Sequence, residues 1–220
     1  MIHPQTKLKW VSNEIGYGVF ATTLIPKGTA VYVRDALEIT IGRDAPLAMN
    51  PTYSEIIRKY SYIDAKGNYV LSWDHGRFVN HCCFPNTITT GYGFEIAIRD
   101  IQPGEEITDD YGLFNLDEDI PLSCDKGNCR GMARACDFDA NVERWDGIVR
   151  EALTHFYLVD QPLLGFFEAS ALKLLNQYIE TGSTYQSVGL QKFVEGSTPP
   201  PPSSELRFKK ERKISAERSE

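Results

Sequence analysis

The first 110 residues are broken by turn formers at such short intervals that only brief strands fit between them. Gly16, Gly18, Pro26-Lys27-Gly28 and Gly42 separate Val19-Phe20-Ala21, Ala30-Val31-Tyr32-Val33 and Leu37-Glu38-Ile39-Thr40-Ile41. Proline presets φ and glycine accepts unusual backbone angles, so each cluster turns the chain. Residues 68–73, 87–90, 93–100 and 106–110 read as further strands, and residues 51–62 as a short helix. Leu24-Ile25-Pro26-Lys27-Gly28-Thr29-Ala30-Val31 echoes Ile101-Gln102-Pro103-Gly104-Glu105-Glu106-Ile107; these are two similar turns feeding strands, not a repeat. The expectation is a mostly β domain of several small sheets.

After Gly131 the texture changes. Val142, Trp145, Val149, Leu153 and Phe156 fall on one helical face. A second helix is expected to begin near Asp160-Gln161-Pro162, with Leu164, Phe167, Ala171, Leu175 and Tyr178 on its apolar side. Such faces must be covered, either by the β domain or by a second subunit. From Gly196 the run Ser-Thr-Pro-Pro-Pro-Pro-Ser-Ser and the charged Lys209-Lys210-Glu211-Arg212-Lys213 read as a linker and disordered tail.

Composition narrows the setting. The net charge of −7 argues against general nucleic-acid binding, which needs clustered Lys and Arg, and favours basic peptides as partners. No apolar run approaches the roughly 20 residues that cross a bilayer, and the N-terminus lacks a secretory leader. No membrane association is expected, and the cytoplasm, or the nucleus in a eukaryote, is the expected compartment. Five cysteines outside a secretory context suggest thiols or a metal site, not a disulfide framework.

Four motifs carry chemistry in order. Gly16-Tyr17-Gly18 can bring backbone close to a ligand. Arg77-Phe78-Val79-Asn80-His81-Cys82-Cys83-Phe84-Pro85-Asn86 follows, then Gly104-Glu105-Glu106-Ile107-Thr108-Asp109-Asp110-Tyr111-Gly112, then Cys124-Asp125-Lys126-Gly127-Asn128-Cys129-Arg130-Gly131. Taken singly, each has a plain structural reading: a tight turn, a satisfied polar pair, a core tyrosine. Together they resemble the SET-domain family of protein lysine methyltransferases, over roughly residues 8–131.

The resemblance implies a SET fold with a knot-like threaded segment and a C-terminal helical extension. It implies S-adenosylmethionine as methyl donor, held by Gly16, Tyr17, Gly18, Arg77, Asn80, His81 and Tyr111, and a lysine-bearing protein or peptide, histone or not, as substrate. Tyr111 is the implied catalytic residue and Asn86 the residue that fixes the threading. A neutral amine must attack the methyl, yet lysine has an ordinary pKa of about 10.4. A dry channel favours the neutral form. A phenol can orient its lone pair while backbone carbonyls stabilise the polarised methyl. Tyr60, Tyr62, Tyr92 and Phe114 are candidates for the channel wall.

The sequence departs from the family at Val79 and Cys82, both small changes, and at Asp109, where Phe or Tyr is usual. Asp109 leaves the methylation state open, as a carboxylate that attracts the ammonium or one turned to solvent. Glu105 and Glu106 read as turn and strand-edge charges. Cys83, Cys124 and Cys129 match three of four family zinc ligands; Leu122 occupies the fourth position, with Cys136 or Cys82 as substitutes. His3 and His155 read as structural or exposed, and His75 as a pocket candidate. The expected division is a SET domain at 1–120, a post-SET-like segment at 121–140, helices at 141–195 and the tail at 196–220. Two rivals stand beside the enzyme: a SET-fold binding protein with little transfer, and a homodimer module working through its C-terminal helices.

Overall fold

The computed structural model describes residues 1–122, 124 and 127–195, and the tail expected at 196–220 lies outside the described residues. Twelve strands appear among them: β1 (Thr6–Ser12), β2 (Gly16–Ala21), β3 (Ala30–Val33), β4 (Ile39–Ile41), β5 (Ser61–Ile63), β6 (Tyr69–Leu71), β7 (Asn80–His81), β8 (Thr87–Thr89), β9 (Phe94–Ala97), β10 (Thr108–Asp109), β11 (Ile120–Pro121) and β12 (Met132–Ala133). The helices are α1 (Pro46–Met49), α2 (Pro51–Tyr60), α3 (Asp137–Leu153) and α4 (Ala169–Thr181). Strands this short cannot build one large sheet. They form two three-stranded sheets, β3-β9-β8 and β4-β6-β5, and three two-stranded ribbons. This is the mostly β architecture of several small sheets, with a helical C-terminal part, that the sequence led us to expect.

The centre of the molecule is the stretch 105–109. On one side it joins β2: Ala21 donates to the Glu105 carbonyl (2.9 Å) and Ile107 to the Val19 carbonyl (2.7 Å). On the other, β10 runs parallel to β7, with Thr108 opposite Asn80 and Asp109 opposite His81. The segment is thus threaded between two stretches that lie far apart in sequence. Asn86, 1% exposed, locks it. Its Oδ1 accepts from the Thr108 amide (2.9 Å) and its Nδ2 donates to the Glu106 carbonyl (2.7 Å).

The C-terminal helices pack on this β domain. Trp145, Val149, Leu153, Phe156 and Leu175 share one buried cluster with Ala30, Val33, Ile88, Phe94 and Ile96. The β domain covers the first of the two expected faces, whereas on the second Leu175 is buried and Leu164, Phe167, Ala171 and Tyr178 stay half-buried. Gly28 shows how closely the parts approach. Its φ is +89°, and a Cβ there would lie 2.6 Å from that of His155.

Several boundaries differ from the sequence reading. The helix expected over 51–62 stops at Tyr60, because Ser61–Ile63 pairs with β6. The strand expected over 106–110 keeps regular pairing only at Thr108–Asp109. The second C-terminal helix starts at Ala169, not near Pro162. Gln161 explains this: its side chain reaches the Gly28 carbonyl, the Phe156 carbonyl and the Ala30 amide, fixing a turn onto the β domain first.

Candidate active site

Threading brings the chemistry-bearing motifs together. Asn80 Nδ2 donates to the Tyr17 carbonyl (3.0 Å) and to Glu106 Oε1 (2.7 Å). The glycine loop, the Asn-His pair and the Glu-Glu stretch are therefore one hydrogen-bonded unit. Glu106 is no plain strand-edge charge; it braces Asn80, a role with no local signal in its sequence. Gly16 has a φ of +85° and faces open space, while a Cβ on Gly18 would sit 2.2 Å from Glu106 Oε1 and 3.0 Å from Asn80 Nδ2. Gly18→Ala is expected to push both groups away. We expect it to weaken S-adenosylhomocysteine binding about tenfold with little change in melting temperature, an effect worth about one hydrogen bond, read by titration calorimetry.

Tyr111 sits where β10 ends and a 3-10 turn, Tyr111–Leu113, begins. Its hydroxyl donates to the Val79 carbonyl (2.9 Å). Burial, then the carboxyls of Asp109, Glu106 and Glu95, push that hydroxyl well above its ordinary pKa, so it stays a protonated donor. The Tyr111 amide donates to His81 Nδ1 (3.2 Å), which leaves the ring proton on Nε2, 3.3 Å from Cys83 Sγ. Burial lowers the His81 pKa to about 4, keeping the ring neutral.

Asp110, fully buried, caps the turn by accepting from the Gly112 amide (3.0 Å) and forms a two-pronged ion pair with Arg130. Planar guanidinium-to-carboxylate pairing fixes orientation as well as charge. The Arg130 amide also donates to Cys83 Sγ (3.3 Å). Arg130, given no role by the sequence reading, thus couples the segment around Cys129 to the residue beside Tyr111.

A cavity opens on Tyr111. Tyr60, Tyr62, Val79, Arg77, Glu95 and Phe114 are among its walls, with Asp117 and Glu118 also lining it. Tyr60, Tyr62 and Phe114 hold expected positions, but Tyr92 does not. It is buried in the core beside Tyr178 and Tyr185, and its hydroxyl accepts from the Gln186 amide. His75 is also not among the cavity walls; its Nε2 lies 2.8 Å from Thr6 Oγ1. His3 is buried at 5% exposure.

Asp109 is fully buried, and neither turned to solvent nor a wall of the cavity. Its carboxyl accepts from the Asp110 amide (2.6 Å) and from Thr89 Oγ1 (3.3 Å). Burial pushes its pKa well up, and neighbouring Glu95 pushes it further. Glu95 itself is raised by burial to about 7. The sequence reading passed over Glu95 because it lies within an ordinary strand.

Cys83, Cys124 and Cys129 gather with their sulfurs all within 4.8 Å of one another. Burial, then the neighbouring thiols, push Cys83 up to about 12, and a cation among the half-exposed sulfurs would favour its thiolate. Amides of Arg130 and Gly131 donate to Cys83 and Cys129 (3.3 Å each), the contacts that steady metal-bound thiolates. Among the described residues neither Cys82, which is buried, nor Cys136, which is exposed, joins the trio. The donor set therefore fits three thiolate ligands of a structural zinc.

Part of the chain resembles known proteins. Residues 16–112 match the family model described as SET domain. The chain is 29% identical over 131 residues to histone-lysine N-methyltransferase Set2 of Drosophila melanogaster, covering 53% of this chain and 6% of that protein. It is 28% identical over 177 residues to histone-lysine N-methyltransferase ASHR3 of Arabidopsis thaliana, covering 72% of this chain and 34% of that protein. Both relatives are thus much longer than the stretch they share with it. The methyltransferase domain of human histone-lysine N-methyltransferase SETMAR is 18% identical with a TM-score of 0.39, covering 60% of this chain and 58% of that one.

Proposed function

We infer that this chain, which carries a SET domain over residues 16–112, is an S-adenosylmethionine-dependent protein lysine N-methyltransferase. The observation that supports this best is the Tyr111 hydroxyl. It is held on the Val79 carbonyl at an aromatic-walled cavity, on the segment threaded beside Asn80 and His81.

Gly16, Tyr17, Gly18, Arg77, Asn80 and His81 are the residues assigned to the cofactor. Bound there, S-adenosylmethionine supplies a methyl group on a sulfonium sulfur, open to in-line attack by an amine. The chain supplies the rest. Aromatic walls at Tyr60, Tyr62 and Phe114 exclude water from the acceptor and favour its neutral form. Tyr111, kept protonated, orients the amine lone pair through its hydroxyl oxygen, and the Val79 carbonyl offers partial negative charge beside it. His81 holds the Tyr111 backbone, and Asp110 with Arg130 holds the turn. Positioning and fixed dipoles, with no covalent intermediate, carry the rate.

The substrate is a lysine on a protein, histone or non-histone. Transfer from S-adenosylmethionine to a panel of histones and other proteins, read by mass spectrometry, tests the reading. Methyl gain on lysine supports it; binding of S-adenosylhomocysteine without any gain would favour a binding protein instead. Cys83, Cys124 and Cys129 are assigned to one structural zinc. Elemental analysis is expected to give about one zinc per chain in the purified protein and little in Cys129→Ser, with a matching loss of melting temperature, since ligand loss uncouples metal from fold.

A further inference from the structure

Glu95 is anomalous. It lies on β9 and lines both the cavity that contains Tyr111 and a second one lined by Arg34, Tyr62, Asp64 and Leu113. Its Oε2 is buried and has no hydrogen-bond partner. None of the cations lining the Tyr111 cavity, Arg58, Lys59 or Arg77, bonds that oxygen. A carboxylate with one oxygen sealed and unpaired is costly to keep charged, and a cation that reaches the other oxygen through the cavity offsets that cost. The other groups near Glu95, the phenols of Tyr62 and Tyr111 and the carboxyl of Asp109, do not bond its Oε2 either, and the Tyr111 hydroxyl is spent on Val79. Arg34, which lines the second cavity with Glu95, is paired with Asp64 and does not bond that oxygen.

We propose that Glu95 is a specificity-determining residue of the acceptor channel, whose carboxylate, with one oxygen sealed in the protein, takes an N–H of the incoming alkylammonium on the other. This rests on the reading that the cavity receives a lysine side chain, and it goes further by naming what grips it as an ammonium on entry, before the proton is lost to water and the neutral amine attacks. It also sets a preference among acceptors. An unmodified or monomethylated lysine has N–H groups to spare, a dimethylated one has a single N–H when charged, and a trimethylated one has none. Glu95 therefore favours acceptors at the low end of methylation. The position where the family carries an aromatic is filled by Asp109, packed out of the cavity, and the polar contact falls to Glu95 on the neighbouring sheet.

Glu95→Gln keeps shape and an acceptor oxygen but removes the charge. KM for a peptide with unmodified lysine is expected to rise about 10- to 100-fold, the size of a lost charge-assisted hydrogen bond. KM for the dimethylated peptide should move far less, and S-adenosylhomocysteine affinity and melting temperature should hold. Equal KM changes for both peptides, or none, would overturn the proposal. A second measurement separates it from the activity itself: binding of N-acetyl-lysine methylamide to the protein loaded with S-adenosylhomocysteine. Weaker binding in Glu95→Gln supports the anchor even if no transfer substrate has been found. Undiminished binding, or none to the unmutated protein, rejects it. Failure of the transferase reading shows separately, as absent methyl gain across the protein panel.

Discussion

Tyr111→Phe is expected to lower methyl transfer about 10²- to 10³-fold, the range seen when one preorganised donor is removed from a reacting centre. The substitution deletes one oxygen. The ring keeps its contacts with His81 and Phe114, both at 5.4 Å between centroids. The amide bond to His81 Nδ1 also survives, because it comes from the backbone. What disappears is the hydroxyl that meets the Val79 carbonyl at the wall of the cavity. The Val79 carbonyl is left without that donor, so a melting-temperature loss of a degree or two is the structural share. Single-turnover transfer measured alongside S-adenosylhomocysteine titration separates the effects: rate falls steeply, cofactor affinity does not. A variant with near-normal rate would remove Tyr111 from the chemistry.

The parts of this site that could be read in the sequence are those written as contiguous motifs. Gly16-Tyr17-Gly18, Asn80-His81 and Tyr111 each sit in a short run whose residue types are dictated by local backbone demands. The threaded arrangement joins those runs through Asn80 to Tyr17 and His81 to Tyr111. The trio of cysteines was legible for the same reason, since Cys124 and Cys129 share one short loop. Contributors that arrive singly from elsewhere were not legible. Glu95 is a lone acid in a strand, and nothing in Gly93-Phe94-Glu95-Ile96 reveals that its carboxyl points away from water. Arg130 has a signal only in its place after Cys129, and its partner Asp110 is 20 residues away. Asp109 failed in the opposite way. Acidic residues at strand ends are usually solvated, but here Thr89 and the Asp110 amide make a dry seat for it. The helix start misplaced at Pro162 has a related cause. A local preference for proline in a first helical turn was overridden by three long-range bonds from Gln161.

Asn86→Ala should be the most destabilising of the substitutions considered, because it strands backbone groups in the interior. The side chain satisfies the Thr108 amide and the Glu106 carbonyl, and both lie on the central stretch held between β2 and β7. Alanine can serve neither. Each buried polar group left unpaired costs about 1–3 kcal/mol, so the pair implies a loss of about 2–5 kcal/mol. For a chain of this size that corresponds to a fall in melting temperature of about 5–15 °C. The third contact, from Nδ2 to Glu105 Oε1 (3.2 Å), adds little, since Glu105 is partly exposed and also paired with Arg99. Asn128→Ala, at an exposed position, is the control and should stay within about 0.5 kcal/mol. A second consequence follows from where the damage lies. Asp109 and Tyr111 continue directly from Thr108, so loosening this stretch also shifts the tyrosine against Val79. Transfer in Asn86→Ala should therefore fall even at temperatures where the protein is fully folded by circular dichroism. If the melting temperature instead stays within about 2 °C of the unmutated protein, the threading is held by backbone pairing alone. Asn86 would then be a passenger in its own motif.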